Sequence, residues 1–596
     1  MTSAGETMEP FENPASLVPN SHLQSGQHTP GHPESVTLRS AEGAYDDKKT
    51  YDDNAGSAIT HGSEKEAPAF GSREEADLHY VTGYKLVLIF VGMLMSIFLV
   101  ALDQTIVATA IPRIASDFNA LEQVTWIASG YFLTQSGLIL TYGQLLAVAN
   151  TKWVYLWAIV IFEIGSLICG VAPNINVLIF GRAFAGCGAA GIFVSALAIL
   201  ARISRIEQRP ILFGLFGGVF ALSSVIGPLL GGAFTDHVSW RWCFYINLPF
   251  GAITIASIIF FIKPEHSTPV ENSHLPTWRR IAGIDWVGAA LSIAMVTSLL
   301  LPLQWGGVTK PWSSGSVIAP LCVFAVLLPS FIAWSWYKGE DALMPLKLWK
   351  RRTQIGCCLE AFFTMLILLT ATYYLPLYYQ SAEGKSATSS GISIIAFMMS
   401  TVGGAIIAGG VISKNGYPLP FLLISPLISS IGAGLVFWNL TTGRPSAELY
   451  GYQVLMGLGV GGALQNTIIV IQAEYHDQPR LVPQSTSLVN FTQLTGGIIG
   501  VAVAGTIFGN RLTTALNKYA PTLSSDSAEA VRQSVSAIGN LTGDDKANVI
   551  RAYSEALGYV FILAIPAAIL ASCSAVLIKN YNLKKLGIEP GMAAAA

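Results

Sequence analysis

The chain has 596 residues, of which 52% are hydrophobic and 12% charged, and its mean hydropathy is +0.52. Soluble domains carry about 25% charged residues, so this chain cannot coat a water-soluble particle of its size, and a net charge of -2 supplies no basic field for nucleic acid. What remains is an all-α polytopic membrane protein, in which many glycines serve close helix contact.

Residues 1 to about 82 are polar and hold no long apolar run, so they are expected to form a disordered tail. Met1 to Pro10 carries acids and no apolar core, which excludes a signal peptide. From Lys85 onward, apolar runs recur, each near the roughly 20 residues that cross a bilayer. The expected cores are 86–110, 124–147, 153–172, 177–200, 212–235, 243–262, 283–303, 316–337, 355–380, 389–413, 419–440, 448–472, 485–509 and 556–579. Pro302, Pro320 and Pro329 interrupt the seventh and eighth of these fourteen.

An even number puts both termini on one side. Segments on that side hold about fourteen Lys and Arg, among them Arg202, Arg205, Arg209, Lys350, Arg351 and Arg352. Short segments on the other side hold five: Arg113, Arg241, Lys310, Lys385 and Arg444. The excess predicts cytosolic termini. The stretch 510–555 is then a long outside loop, and its Asn540-Leu541-Thr542 is a glycosylation acceptor.

An internal repeat is visible. Arg182, Gly186, Gly188 and Gly191 in the fourth run have the same spacing as Gln453, Gly457, Gly459 and Gly462 in the twelfth. Two related six-helix bundles follow, with the seventh and eighth helices inserted between them, the layout of an alternating-access carrier. The expected divisions are a cytosolic tail 1–82, a first bundle 83–263, a linker with the inserted pair 264–338, a second bundle 339–580 and a cytosolic tail 581–596.

Four ionisable residues lie inside apolar runs: Asp103, Glu163, Arg182 and Glu360. Each costs at least roughly 2.5–3.5 kcal/mol at mid-membrane unless paired or hydrated. Asp103 and Arg182 read either as a proton-handling couple or as a structural ion pair. Glu360 reads as a further proton site or as a solvated helix end, and Glu163 as a residue at the bundle periphery. Tyr373, Tyr374, Tyr378 and Tyr379 precede or follow Pro376, a proline expected to break the ninth helix. These rings line a ligand pocket or form an interface belt. Gln453 and Gln493 join Tyr373, Tyr374 and Tyr378 as pocket candidates. No CxxC pair, nucleophile elbow or phosphate loop occurs, so neither a metal, a cofactor nor an enzymatic activity is expected.

Three stretches resemble one family. Leu102-Asp103-Gln104-Thr105-Ile106-Val107-Ala108-Thr109-Ala110-Ile111-Pro112 looks like the first-helix motif of fourteen-helix drug:proton antiporters of the major facilitator superfamily. Leu178 to Arg182, with Gly186-Cys187-Gly188-Ala189-Ala190, resembles their helix-4 motif. Gly218, then Gly227-Pro228-Leu229-Leu230-Gly231-Gly232, resembles their antiporter motif, and Trp240 to Gly251 follows in the family's manner. One stretch departs. After Gly143-Gln144-Leu145, the family's acid is Ala147, its glycine Asn150 and its arginine Thr151, so the charged latch after helix 2 is largely missing.

The resemblance implies a major facilitator fold and fungal-type efflux of toxins, drugs or secondary metabolites in exchange for protons. It assigns proton coupling to Asp103 and Arg182, with Glu360 a further candidate, and conformational change to the helix-5 glycines and Pro228. The expected partners are a small-molecule substrate, protons and the lipid bilayer, for a monomer in the plasma membrane or a vacuolar membrane. The alternatives are a vacuolar basic amino acid or siderophore carrier of the same fold, and a membrane receptor that no longer transports.

Overall fold

In the computed structural model the described residues are 83–118, 124–205, 208–262, 276–306, 310–443, 446–533 and 535–586. The expected tail 1–82 lies outside them, as do residues 587–596. The described residues all fall in the unit Gly71–Ala596.

Each apolar run is helical. In order they are α1 Tyr84–Phe118, α2 Val124–Val148, α3 Thr151–Val171, α4 Ile175–Ile203 and α5 Arg209–His237. A short helix, Trp242–Tyr245, leads into α6, Asn247–Phe261. Then come α7 Trp286–Trp305, α8 Gly315–Lys338, α9 Arg352–Ser381, α10 Ile395–Asn415 and α11 Leu419–Thr442. The chain ends with α12 Ser446–Leu464, continued by Asn466–Glu474, with α13 Val482–Tyr519, and with α14 Gly543–Ile562, continued by Ala564–Ala575. No strand occurs among the described residues, only an isolated bridge between Gly306 and Lys310.

Twelve of these helices, among the described residues, are long and apolar enough to cross a membrane, against the fourteen expected. The two outside that number are α2, whose buried faces carry Gln135, Ser136, Thr141 and Gln144, and α5, which contributes a shorter apolar stretch, Arg209–Phe220.

Two sequence expectations fail locally. Pro376 does not break α9, which is continuous from Arg352 to Ser381. The lost backbone bond is tolerated because Tyr374, Leu375, Tyr378 and Tyr379 are all buried around it. Helices α7 and α8 likewise run through Pro302, Pro320 and Pro329. The stretch 510–555 is not a loop. Helix α13 runs on to Tyr519, short helices cover Ser525–Gln533 and Val535–Asn540, and α14 already begins at Gly543. Leu512, Ala515 and Leu516 of α13 pack with Val549, Ala552 and Tyr553 of α14 in one apolar cluster. Glu555 binds Lys518 at 3.2 Å and accepts from Tyr519. That apolar stripe among polar residues defines amphipathic helices rather than a loop.

Helices α1–α6 and α9–α14 make two six-helix bundles. In the first, α4 packs between α2 and α3, and α1 lies on α5 and α6. In the second, α12 packs between α10 and α11, and α9 lies on α13 and α14. The glycine repeat explains the match. A Cβ on Gly188 would stand 2.6 Å from the Ala158 carbonyl of α3, and one on Gly459 would stand 2.6 Å from the Ser425 carbonyl of α11. Gly186 meets Tyr131 of α2 in the same way that Gly457 meets Phe397 of α10. Only hydrogen fits at these crossings.

The bundles join through α2 against α13 and α5 against α10. The approach is closest at the end that carries Tyr84 and Leu586. There a Cβ on Gly409 would stand 2.5 Å from the Pro210 carbonyl, and Gly143 is pressed against Ser487. Arg209 Nη1 donates to Gln472 Oε1 across the same seam at 3.1 Å. The inserted pair sits outside: α7 packs on α2, and α8 packs on α7 with only 11% of its span buried.

Candidate functional site

The buried charges of the first bundle converge. Asp103 of α1 and Arg182 of α4 are 0% and 2% exposed, and Arg182 Nη1 lies 2.6 Å from Asp103 Oδ2. Arg182 Nε donates to the Ile127 carbonyl of α2 at 3.1 Å, and the guanidinium lies 4.4 Å from the centre of the Tyr131 ring. Arginine's rigid fork is thus satisfied on three sides: carboxylate, carbonyl and aromatic face. The other Asp103 oxygen, Oδ1, accepts from Asn247 Nδ2 of α6 at 3.3 Å, and the same amide donates to Ser166 Oγ of α3 at 3.1 Å. Helices α4 and α6 therefore both reach the α1 carboxylate, and α2 and α3 join it through Arg182 and Asn247. Removing either partner of such a pair costs about 3–5 kcal/mol, because it strands a buried charge.

The helix-5 motif lies beside it. Thr105, two residues after Asp103, donates to the Ser223 carbonyl of α5 at 3.0 Å. A Cβ on Gly227 would collide with Thr105. Gly218 faces Val402 of α10, where an added Cβ would stand 3.4 Å from Cγ1, and Gly232 opens onto free space. The Gly231 carbonyl accepts from Thr235 at 2.6 Å. The side chain of Pro228 lies outside the described set.

The remaining expected residues are not gathered there. Glu360 in α9 is fully buried rather than solvated, with neither oxygen hydrogen-bonded. It belongs to the second bundle and does not reach the Asp103 centre. Tyr374 donates to the Val501 carbonyl of α13 at 3.4 Å, Tyr378 is buried beside Tyr379, and Tyr373 is 54% exposed. Gln453 is buried and donates to the Tyr379 hydroxyl, and Gln493 is buried on α13. Asn540 is exposed at the end of its short helix. Glu163 is not peripheral: it is 8% exposed, turned onto Gly251 of α6.

Sequence reading missed Asn247 and Ser166, which carry no charge to mark them in an apolar run. It also missed what stands at the departed latch. Gln144 Nε2 donates to the Asp341 carbonyl at 2.8 Å, and its Oε1 accepts from the Asp285 backbone at 3.2 Å. Asp285 caps α7 through Gly288 N and accepts from Trp334 Nε1, both at 2.8 Å, while its Oδ2 accepts from Leu343 N at 3.0 Å. A hydrogen-bonded clasp therefore fastens both ends of the inserted pair to α2. Asn150, where the family has glycine, caps α3.

A match to the Major Facilitator Superfamily spans residues 93–501. The MFS-type transporter astH of Aspergillus oryzae is 40% identical over 513 residues, 86% of this chain and 89% of that protein. The MFS-type efflux pump MFS1 of Arthroderma benhamiae is 40% identical over 524 residues, 88% of this chain and 96% of that protein. The efflux pump aflT of Aspergillus parasiticus is 39% identical over 513 residues, 86% and 98% of the two chains. Among solved structures, the human organic anion transporter MFSD10 (TETRAN) is similar in fold, with a TM-score of 0.52 and 12% identity over 81% of this chain and all of that one. The molecule is a multi-pass membrane transporter and not an enzyme. It belongs to the Major Facilitator Superfamily.

Proposed function

We propose that this transporter exports small organic molecules in exchange for protons, across the plasma membrane, as a monomer with cytosolic termini. The observation that carries the reading is the buried Asp103–Arg182 pair, set two residues from the Thr105–Gly227 crossing of α1 and α5. A titratable group at a helix crossing lets protonation change how two helices fit. The relatives named as efflux pumps support the direction of transport.

The driving force is sufficient. A membrane potential of ~100 mV gives about 2.3 kcal/mol per charge, and one pH unit adds about 1.4 kcal/mol. The sum, about 3.7 kcal/mol, sustains a several-hundredfold gradient of neutral cargo per proton. In this reading Asp103 binds the proton and Arg182 competes with it. The seam around Gly143 and Gly409 is the cytosolic gate, and Gly218, Gly227, Pro228, Gly231 and Gly232 form the hinge of α5. Cargo lies between the bundles, against Tyr373, Tyr374, Tyr378, Gln453 and Gln493, with Glu360 a second proton site.

The test uses sealed vesicles with an imposed pH gradient. Asp103→Asn keeps the shape of the side chain and removes the proton site, so uphill export is expected to vanish while cargo binding stays measurable. Uphill export by Asp103→Asn at the wild-type rate would overturn the reading. The topology has its own check. Asn540 is expected to carry a glycan, so the wild type shifts in mobility on deglycosylation and Asn540→Gln does not. A tag at Asn540 is expected to bind antibody on intact cells; an N-terminal tag doing so instead would invert the orientation.

A further inference from the structure

Glu163 is the one buried carboxylate of the first bundle left without a use. Both of its oxygens are buried and neither has a hydrogen-bond partner. Its carboxyl lies against Gly251, where any Cβ would clash with it. Gly251 is one helical turn from Asn247 on α6, and Ser166 is one turn from Glu163 on α3; residues so spaced share a helix face. The Asn247 amide spans Ser166 Oγ and Asp103 Oδ1 at 3.1 and 3.3 Å. A hydrogen-bonded track thus runs from Arg182 through Asp103 and Asn247 to Ser166, and Glu163 stands one turn beyond its end on α3 with no bond to it.

We propose that Glu163 and Asp103 form a coupled carboxylate pair that holds one proton and one negative charge between them. The proposal rests on the proton-driven reading above. In the conformation described, Asp103 is the charged member, because Arg182 compensates it. Glu163 is the protonated member, because an ionised carboxylate buried with neither counter-ion nor donor is far too costly. When α4 draws Arg182 away from Asp103, the balance inverts. The O–H bond at Glu163 breaks, its electron pair stays on the glutamate oxygen, and a new O–H bond forms at Asp103. One proton moves one way and one negative charge the other, so nothing else is consumed. Asn247 is the positioning residue: it holds the α1 and α3 ends of the track together.

The charged surroundings leave Glu163 free to respond to Asp103. The charge that acts on it is that of Asp103 on α1, which Arg182 of α4 already pairs. The segment Trp242–Phe261 of the α6 region contains no Asp, Glu, Lys, Arg or His. Lys152 at one end of α3 is spent on the Ile259 carbonyl at 2.9 Å, and at the other end Arg241 donates to the Gly170 and Ala172 carbonyls at 2.8 Å each.

The experiment compares export in sealed vesicles over a range of pH for the wild type, Glu163→Gln, Glu163→Asp and Asp103→Asn, with abundance measured in each. Glu163→Gln fixes the neutral form at nearly constant shape. Its gradient-driven accumulation is expected to fall at least about tenfold, the factor that one pH unit supplies per proton, and its residual export is expected to lose its dependence on pH. Glu163→Asp, which restores a carboxyl, is expected to recover part of the accumulation with a displaced pH profile. A wild-type profile in Glu163→Gln with Asp103→Asn inactive overturns this proposal and leaves the proton-driven reading standing. Equal losses of abundance in both Glu163 variants with the profile unmoved reduce Glu163 to a packing residue and overturn it as well. Wild-type accumulation in Asp103→Asn fails the underlying reading instead.

Discussion

The two bundles share a skeleton and differ in what they place on it. In the first, α4 carries a guanidinium to the carboxylate of α1; in the second, α12 carries an amide to the phenol of Tyr379 on α9. The residues at stake, Arg182 and Gln453, stand at the same offset from glycines that make equivalent crossings. Backbone approach was kept in both copies while the chemistry one turn away diverged. Hydrogen is the only substituent that lets two helices meet at these points, whereas the position four residues earlier is free to change.

The sharpest way to break this comparison is to disable both copies. Asp103→Asn is expected to abolish uphill export and, by stranding Arg182, to lower stability by up to about 3–5 kcal/mol. Gln453→Leu loses one hydrogen bond, about 1–3 kcal/mol, and a cargo contact, so its export is expected to weaken while what remains keeps its dependence on pH. Equal loss of coupling in the two variants would show that Gln453, like Arg182, takes part in proton handling. The shared skeleton is tested next. Gly188→Leu and Gly459→Leu are both expected to destabilise by about 1–3 kcal/mol or more, with matching falls in melting temperature in detergent. A large difference between them would mean that the copies are not equivalent crossings.

Gly227→Leu separates folding from motion. Its neighbour Thr105 is a small side chain at the α1–α5 crossing, so abundance is expected to fall less than transport, which drops about tenfold if the barrier to rocking rises by about 1.4 kcal/mol. Unchanged export at normal abundance would remove α5 as a hinge.

The smallest effect is expected at Lys385, outside the spans. Its ammonium binds Glu383 at 2.8 Å, Ser393 at 2.9 Å and Tyr450 at 3.1 Å. Burial opposes the charge, but the hydrogen bonds and ion pair with Glu383 and Tyr450 outweigh it and raise the pKa. A raised pKa means that the stabilisation is complete below the ordinary lysine value, about 10.4, and disappears as pH climbs through the folded value. Lys385→Met is therefore expected to melt about 1–2 °C lower near neutral pH, with the gap closing at strongly alkaline pH. A gap that stays constant with pH would exclude the ion pair as its cause.

Much of this arrangement was legible in one dimension. Asp103 and Arg182 stand out because charge is costly in an apolar run, and the glycine spacing announced the repeat before any helix was placed. What stayed hidden was set by contacts between distant segments. Asn247 and Ser166 are unremarkable until α3 and α6 bring them to Asp103. Pro376 reads as a break because a proline removes a local bond, yet α9 continues through it among buried neighbours. The stretch 510–555 reads as a loop because polar residues dominate its average, although Leu512, Leu516 and Tyr553 give it an apolar stripe. Ala147 shows that the charged latch is missing, but no local pattern points from Gln144 to Asp285 and Asp341, well over a hundred residues away.

That clasp also shortens the connection between the bundles. Counted along the chain, everything from α6 to α9 would be available as slack. Because Leu343 is tied to Asp285, and Asp285 to Gln144, the free leash into the second bundle runs only from Leu343 to Arg352, nine residues (352 − 343). Nine residues reach at most about 30 Å when fully extended, and Leu346–Lys350 is already coiled into a tight helical turn. The second bundle is thus held at a high effective concentration beside the first. It can tilt through a cycle, but it has no rope with which to drift away between turnovers.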